Sequence, residues 1–206
     1  MQRYFITGIG TEVGKTVVSA IVTEALQADY WKPIQAGDLD NSDTHKLQQW
    51  ITNTKTVFHH NSFALKTPMS PHAAAEIDNI NISAKAIKTP DTKNNLVVEG
   101  AGGLLVPINN AETILDLIQP NDKIILVSRH YLGSINHTLL TAEVLKNRNF
   151  NNVGIIFNGN EHPTTESIIL SKTNYPFLGR INEEKEITPK VVSKYATQLQ
   201  QRLKEF

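Results

Sequence analysis

Tyr4-Phe5-Ile6-Thr7-Gly8-Ile9-Gly10-Thr11-Glu12-Val13-Gly14-Lys15-Thr16 is the stretch that decides the fold. An apolar, β-branched run, Tyr4 to Thr7, stops at Gly8. A glycine-rich turn then leads to Gly14-Lys15-Thr16. From Lys15 onward, Val18, Ile21, Val22 and Ala25 recur at the i, i+3, i+4, i+7 spacing of one helix face. Strand, glycine loop and helix form the context that a phosphate-binding loop requires. Glycines let backbone N–H groups curl around a polyphosphate, and the helix directs its positive end at the anion. Lys15 supplies a point charge for the β- and γ-phosphates, and Thr16 a hydroxyl for Mg²⁺. The strict pattern needs glycine five positions before Gly14, where Ile9 stands; Gly8 lies one residue further back, so the loop is longer by one. An ordinary strand-to-helix turn is the plain alternative.

Working outward, Asn95 to Val98, Lys123 to Val127 and Val153 to Phe157 are nearly continuous in apolar residues, as strands buried on both faces are. Tyr30-Trp31 is a shorter fifth candidate. Leu139 to Lys146 has helical character. Thr188-Pro189 marks another helix start, a cap followed by proline at the first helical position, and Val192, Tyr195, Leu199 and Leu203 make its apolar stripe. The stretch from Asn53 to Pro90 is loop-rich and poorly periodic. Strand and helix in alternation predict an α/β protein: a single P-loop domain over residues 1–206, its mainly parallel sheet covered by helices on both faces.

Composition narrows the function. The 206 residues suit one large domain, and 40% hydrophobic residues supply one sizeable core. Twenty basic residues balance twenty acidic ones, which speaks against a protein that coats nucleic acid or lies on an anionic membrane. The absence of cysteine removes disulfides, iron–sulfur clusters, cysteine nucleophiles and the common structural zinc sites. No apolar run approaches the ~18–20 residues of a membrane helix. The first strand reaches its glycine loop too early for a signal peptide. The expectation is a cytoplasmic protein without nucleic-acid or membrane partners.

Metal-assisted phosphoryl transfer also needs carboxylates near the loop. Val97-Val98-Glu99-Gly100-Ala101-Gly102-Gly103 offers Glu99 at the carboxyl end of a strand, where open parallel sheets bind ligands. A solvated turn is the alternative there. Asp43, in Asn41-Ser42-Asp43, reads equally as a site carboxylate or as part of a helix cap. Lys32, after Tyr30-Trp31 and before Pro33, can stabilise transition-state charge or stand in solvent. Leu132-Gly133-Ser134-Ile135-Asn136-His137 leads into a helix whose free N–H groups can hold an anion, though capping alone explains it. Asn158 follows a strand and suits a base edge or a turn. His72 has no metal partner nearby, and the seven histidines nowhere have zinc spacing.

Taken in order, the lengthened Gly-Thr-Glu-Val-Gly-Lys-Thr loop, Lys32-Pro33, Asn41-Ser42-Asp43, Ser70-Pro71-His72, Val98 to Gly103, Leu132 to His137 and Asn158 resemble the dethiobiotin synthetases, ATP-dependent enzymes of biotin biosynthesis. The matches span Gly8 to Asn158. The resemblance implies the substrates ATP, 7,8-diaminononanoate and CO₂, with Mg²⁺. One amine forms a carbamate, the carbamate takes the γ-phosphoryl group, and the second amine closes the ureido ring and expels phosphate. It implies catalytic roles for Thr11, Lys15 and Lys32 around the transferring group. Thr16, Asp43 and Glu99 are the implied holders of Mg²⁺. Backbone from Glu12 through Val13, Gly14, Lys15 and Thr16 to Val17 wraps the phosphates, and Gly100, Ala101, Gly102 and Asn158 lie near the nucleotide. The family is a homodimer, so Gly133 and Asn136, with Lys32, are implied in binding substrate near the subunit interface. This chain departs from the family in three places: Ile9-Gly10 replaces a common Thr-Asp, Ala36 replaces a hydroxyl residue, and the late nucleotide loop appears as Gly179-Arg180-Ile181-Asn182 without its proline.

Two other kinds of protein fit a phosphate loop. One is a small-molecule kinase or an amidoligase; amidoligases of the cobyrinic-acid type usually add a glutamine-hydrolysing domain with a cysteine, for which this chain has neither length nor residue. The other is a regulatory ATPase switch of the partition or division-site kind. Such switches carry a further lysine early in the loop, where this chain has Gly10 and Thr11.

Overall fold

In the computed structural model, which describes residues 1–206, the strand and helix around the quoted stretch are β1 (Arg3–Gly8) and α1 (Lys15–Leu26). Next come β2 (Asp29–Trp31), β3 (Ile34–Ala36), α2 (Asp43–Trp50), β4 (Phe58–His59), β5 (Phe63–Leu65) and α3 (Pro71–Ile77). The second half contains β6 (Leu96–Gly103), β7 (Lys123–Arg129), α4 (Ser134–Asn147), β8 (Val153–Asn158), α5 (Pro163–Thr173), β9 (Phe177–Ile181) and α6 (Pro189–Glu205). Seven strands form one sheet in the order β4-β2-β6-β1-β7-β8-β9, every pair parallel. β3 and β5 make a separate parallel pair. The predicted α/β architecture with a mainly parallel sheet is therefore the observed one.

The continuous apolar runs have the expected cause. Side chains alternate across a strand, and here both sides are covered. Tyr4, Ile6, Val97, Ile125, Val127 and Ile156 pack on one face with the stripes of α1 and α6. Phe5, Leu96, Val98, Ile124, Leu126, Ile155 and Phe157 pack on the other, with Ala74 of α3, Leu145 of α4 and Ile169 of α5. The α6 stripe Val192, Tyr195, Leu199 and Leu203 is buried as its spacing predicts, and the Thr188 hydroxyl caps the helix by accepting from Val191 N–H.

The 53–90 stretch is loop-rich and poorly periodic, as its sequence reads; β4, β5 and α3 lie in it, each too short to show a period. Helix α2 went unread because Leu47 is its only buried residue, and α5 because its apolar residues make no clean stripe. The strand begun at Leu96 does not end at Glu99 but runs on to Gly103, pairing Ile6 with Glu99 and then Gly8 with Gly103. The two extra residues of β6 between those pairs are accommodated by glycines, with Gly102 at φ 70°. Finally, Gly179, Arg180 and Ile181 lie within strand β9; only Asn182 follows it.

Candidate active site

Three adjacent strands, β2, β6 and β1, end at the same edge of the sheet and position the site. From β1 the chain enters the glycine loop, and Gly14, at φ 94°, turns it into α1. No side chain fits at Gly14: a Cβ there would run into the amide of Asn158, which donates from Nδ2 to Val13 O at 2.9 Å. Glu12 also has a left-handed backbone (φ 57°), and its carbonyl accepts from Arg129 at 3.1 Å, so the ends of β7 and β8 brace the loop. The Lys15 ammonium folds back to donate to Gly10 O at 2.8 Å. Burial pushes its pKa down to about 8, against the pull of Glu99; Lys32 adds to the lowering and Asp43 opposes it.

The reactive groups meet in one knot. The Thr16 hydroxyl stands 3.0 Å from both Asp43 Oδ1 and Glu99 Oε1, donating to one at a time. The Lys32 ammonium pairs with Asp43 Oδ2 and lies 3.1 Å from Glu99 Oε1. Lys46 adds a looser contact to Asp43 at 3.6 Å. Burial alone would lower the Lys32 pKa; Glu99 and Asp43 outweigh it and raise it, so the ammonium stays charged. Desolvation would raise the Asp43 carboxyl pKa; Lys32, with Thr16 and Lys46, outweighs it and holds the group below its ordinary range. Asp43 is both things its sequence allowed: Ser42 caps α2 with a capping box, and Asp43 opens the helix with its carboxylate turned to the site.

The donor set suits a hard cation. The Asp43 and Glu99 carboxylates share both the Thr16 hydroxyl and the Lys32 ammonium, and Mg²⁺ typically takes only one or two protein carboxylates, leaving the rest of its shell to phosphates and water. Thr11 is exposed at the loop, and its Oγ1 would lie 3.6 Å from a Cβ on Gly102; Gly103 lies against Gly8 and Gly10, so the end of β6 borders the phosphate loop, whereas Gly100 faces Phe5 and Ile114 in the core.

A family model described as an AAA domain matches residues 2–191. Over 205 residues, spanning 100% of this chain and 99% of the relative, the sequence is 61% identical to the ATP-dependent dethiobiotin synthetase BioD of Christiangramia forsetii. It is 50% identical to the protein of that name from Cytophaga hutchinsonii, over 97% of each chain. The chain belongs to the dethiobiotin synthetase family. Among solved structures, the MinC:MinD cell division protein complex of Aquifex aeolicus superposes with a TM-score of 0.59 at 17% identity, over 100% of this chain and 96% of that one. At that identity the likeness is one of fold.

Of the residues singled out for their resemblance to dethiobiotin synthetases, the structure gathers Thr16, Lys32, Asp43 and Glu99 within one network; Lys15 bonds to Gly10 O in the loop and feels the charges of Glu99, Lys32 and Asp43. Gly102 lies beside Thr11 of the loop and Asn158 bonds to Val13 within it, whereas Gly100 packs against the core. Gly133 and Asn136 stand apart from the network, exposed at the start of α4, where Gly133 takes φ 103° ahead of the helix. Two participants escaped the sequence reading. Arg129 is an exposed residue at a strand end, without a motif to mark it. Tyr30, read only as part of a strand, donates its hydroxyl to Glu99 Oε2 at 2.9 Å. The signal that could have marked it is a tyrosine where a strand side chain is expected to be fully buried, since a buried phenol requires an acceptor.

Proposed function

We propose that this protein performs the reaction of its family, forming dethiobiotin from 7,8-diaminononanoate, CO₂ and ATP, and that the knot around Thr16 is where it does so. The observation that carries the reading is the convergence of two ammonium groups, two carboxylates and a hydroxyl at the mouth of a phosphate loop. In the reaction, an amine adds to CO₂ and loses a proton to give a carbamate. A carbamate oxygen attacks the γ-phosphorus as the bond to ADP breaks. The second amine then attacks the carbamoyl carbon, forming the ring C–N bond as phosphate leaves with the electron pair and a proton is released.

The nucleophile of the phosphoryl step is already an anion, so this chain need supply alignment and charge neutralisation rather than a strong base. Lys15 and the backbone N–H groups from Glu12 to Val17 hold the phosphates in this reading. Lys32 places its ammonium where negative charge passes between carbamate and phosphoryl oxygens, and Thr11 offers a hydroxyl from the loop. Thr16, Asp43 and Glu99 are the groups to hold Mg²⁺, which when bound neutralises β- and γ-phosphate oxygens. Asn158, whose amide bonds to Val13 O at 2.9 Å, is assigned to the adenine in this reading.

A homodimer completes the proposal, with Gly133 and Asn136 contributing to the substrate site across the interface. Its support is the apolar surface beside them, where Tyr131, Leu132, Ile135 and Leu140 are all exposed. No helix is long and apolar enough to cross a membrane, and the cysteine-free chain suits the cytoplasm we propose as its setting. The test is product analysis after incubation with MgATP, bicarbonate and the diamine. Dethiobiotin, ADP and phosphate in equal amounts are expected. ATP hydrolysis indifferent to diamine and bicarbonate would overturn the reading in favour of a regulatory ATPase.

A further inference from the structure

Glu99 is held from both sides. Its Oε1 faces Thr16 and Lys32, whereas its Oε2 accepts from Tyr30 at 2.9 Å. Tyr30 is on β2 and pairs with Val97 in β6, so its side chain and that of Glu99 project from the same face of the sheet, two residues apart along β6. The ring is fully buried and is met edge-on by Phe58 of β4, with centroids 6.2 Å apart and planes at 62°. Glu99 Oε2 is the only hydrogen-bond partner of that hydroxyl. Packing alone would be served by phenylalanine, because a hydroxyl at such a position brings a desolvation cost that only a well-placed acceptor offsets.

We propose that Tyr30 is a positioning residue for the metal site: by taking up Oε2 it fixes the Glu99 carboxylate so that one oxygen, Oε1, faces the cation of MgATP. The inference rests on the reading of Thr16, Asp43 and Glu99 as the Mg²⁺ site. A carboxylate free at both oxygens can chelate a cation through both, a mode that suits the larger Ca²⁺. A carboxylate with one oxygen occupied by a phenol offers a single ligand atom, which suits the compact octahedral shell of Mg²⁺. Tyr30 thereby favours Mg²⁺ over Ca²⁺ without touching either.

The experiment measures ADP affinity of the full-length protein and of Tyr30→Phe in EDTA, and across titrations of MgCl₂ and CaCl₂. The expected result is unchanged affinity in EDTA, a Mg²⁺ half-saturation raised about five- to tenfold, and a smaller change, or a gain, with Ca²⁺. A general loosening of the core would weaken both cations alike, and that outcome overturns the proposal, as does a Mg²⁺ half-saturation within about twofold of the parent. Should Tyr30→Phe not fold, Phe58→Leu keeps the hydroxyl but frees the ring. It is expected to raise the Mg²⁺ half-saturation at least twofold, and no change would overturn the proposal. Ring closure by the parent is assayed separately. A parent that binds ADP with Mg²⁺ dependence but makes no dethiobiotin fails the functional reading while leaving Tyr30 decided by its own titrations. A parent whose ADP binding ignores Mg²⁺ removes the metal site at Thr16, Asp43 and Glu99 and overturns the proposal, whatever its ring closure.

Discussion

Lys32 carries the sharpest consequence at the scale of single residues. Its ammonium lies between Asp43 and Glu99, and its side chain is only 8% exposed. If it faces the carbamate and the γ-phosphate, its charge matters most as negative charge moves between them, and less for ground-state nucleotide binding. Lys32→Gln is therefore expected to bind ATP within a few-fold of the parent yet to lose ring closure by a factor on the order of 10² or more. Nucleotide affinity and dethiobiotin formation, measured on one preparation, check both halves. Full ring closure would remove Lys32 from the mechanism. The carboxylates behave differently. Asp43→Asn and Glu99→Gln keep their shapes and lose a charge, so each should shift the Mg²⁺ dependence of turnover upward by about tenfold. Superimposable Mg²⁺ titration curves for parent and both variants would mean that the cation is held elsewhere.

Among the elements, β2 shows how a very short strand is kept in place. Its Asp29 accepts from Thr92 at 2.6 Å, from Asn94 and Val57 N–H at 3.1 Å each, and meets His59 at 3.2 Å. Desolvation would raise the carboxyl pKa; the Thr92 bond, the Val57 N–H, and the Asn94 and His59 contacts together outweigh it and lower it. A carboxylate with a depressed folded pKa contributes stability in full above its unfolded value near ~3.9, and loses it as pH falls through the folded value. Asp29→Asn should thus be less stable than the parent by about 1–2 kcal/mol at pH 7. The gap should close below about pH 4; urea unfolding at several pH values checks this, and a gap that persists in acid would assign the loss to packing. Helix α6 depends on packing instead. Leu199 is 4% exposed and covers Gly179 of β9, where a Cβ would collide with it. Leu199→Ala should lower unfolding free energy by about 2–4 kcal/mol, read from the same urea curves.

At the scale of the whole molecule, the exposed apolar side chains at the start of α4 bear on assembly. Leu132 is 104% exposed and sits with Tyr131 and Ile135 at the entrance to α4, beside the residues proposed to reach a second subunit's substrate. A large exposed apolar side chain is common singly, but a contiguous set marks an interaction surface. The parent should sediment as a dimer at micromolar concentration, and Leu132→Asp should raise the dissociation constant at least about tenfold. Equal sedimentation of both proteins would place the interface on another face.

Where the chain makes its decisions locally, the sequence was enough. The loop from Gly8 to Thr16, the nearly continuous apolar runs in β1, β6, β7 and β8, and the stripes of α1 and α6 each depend on residues within a turn or two of one another. Those spacings were legible as they stood. Short or polar elements were not: α2 buries one residue, and β9 carries Gly179 and Arg180 at its centre, a strand whose arginine is neutralised by Glu166 from another element. The resemblance to dethiobiotin synthetases named Lys32 and Asp43, which their own surroundings in the sequence left undecided. What only the tertiary structure decided is that these two, Thr16, Glu99 and Tyr30 are joined in one connected set of hydrogen bonds. Sequence order puts β2 after β1, but the sheet inserts β6 between them. Glu99 thereby comes between Thr16, at the start of the helix after β1, and Lys32, just past β2. That insertion is driven by burial of the apolar runs on both faces of the sheet, a property of the whole core, and no local spacing records it.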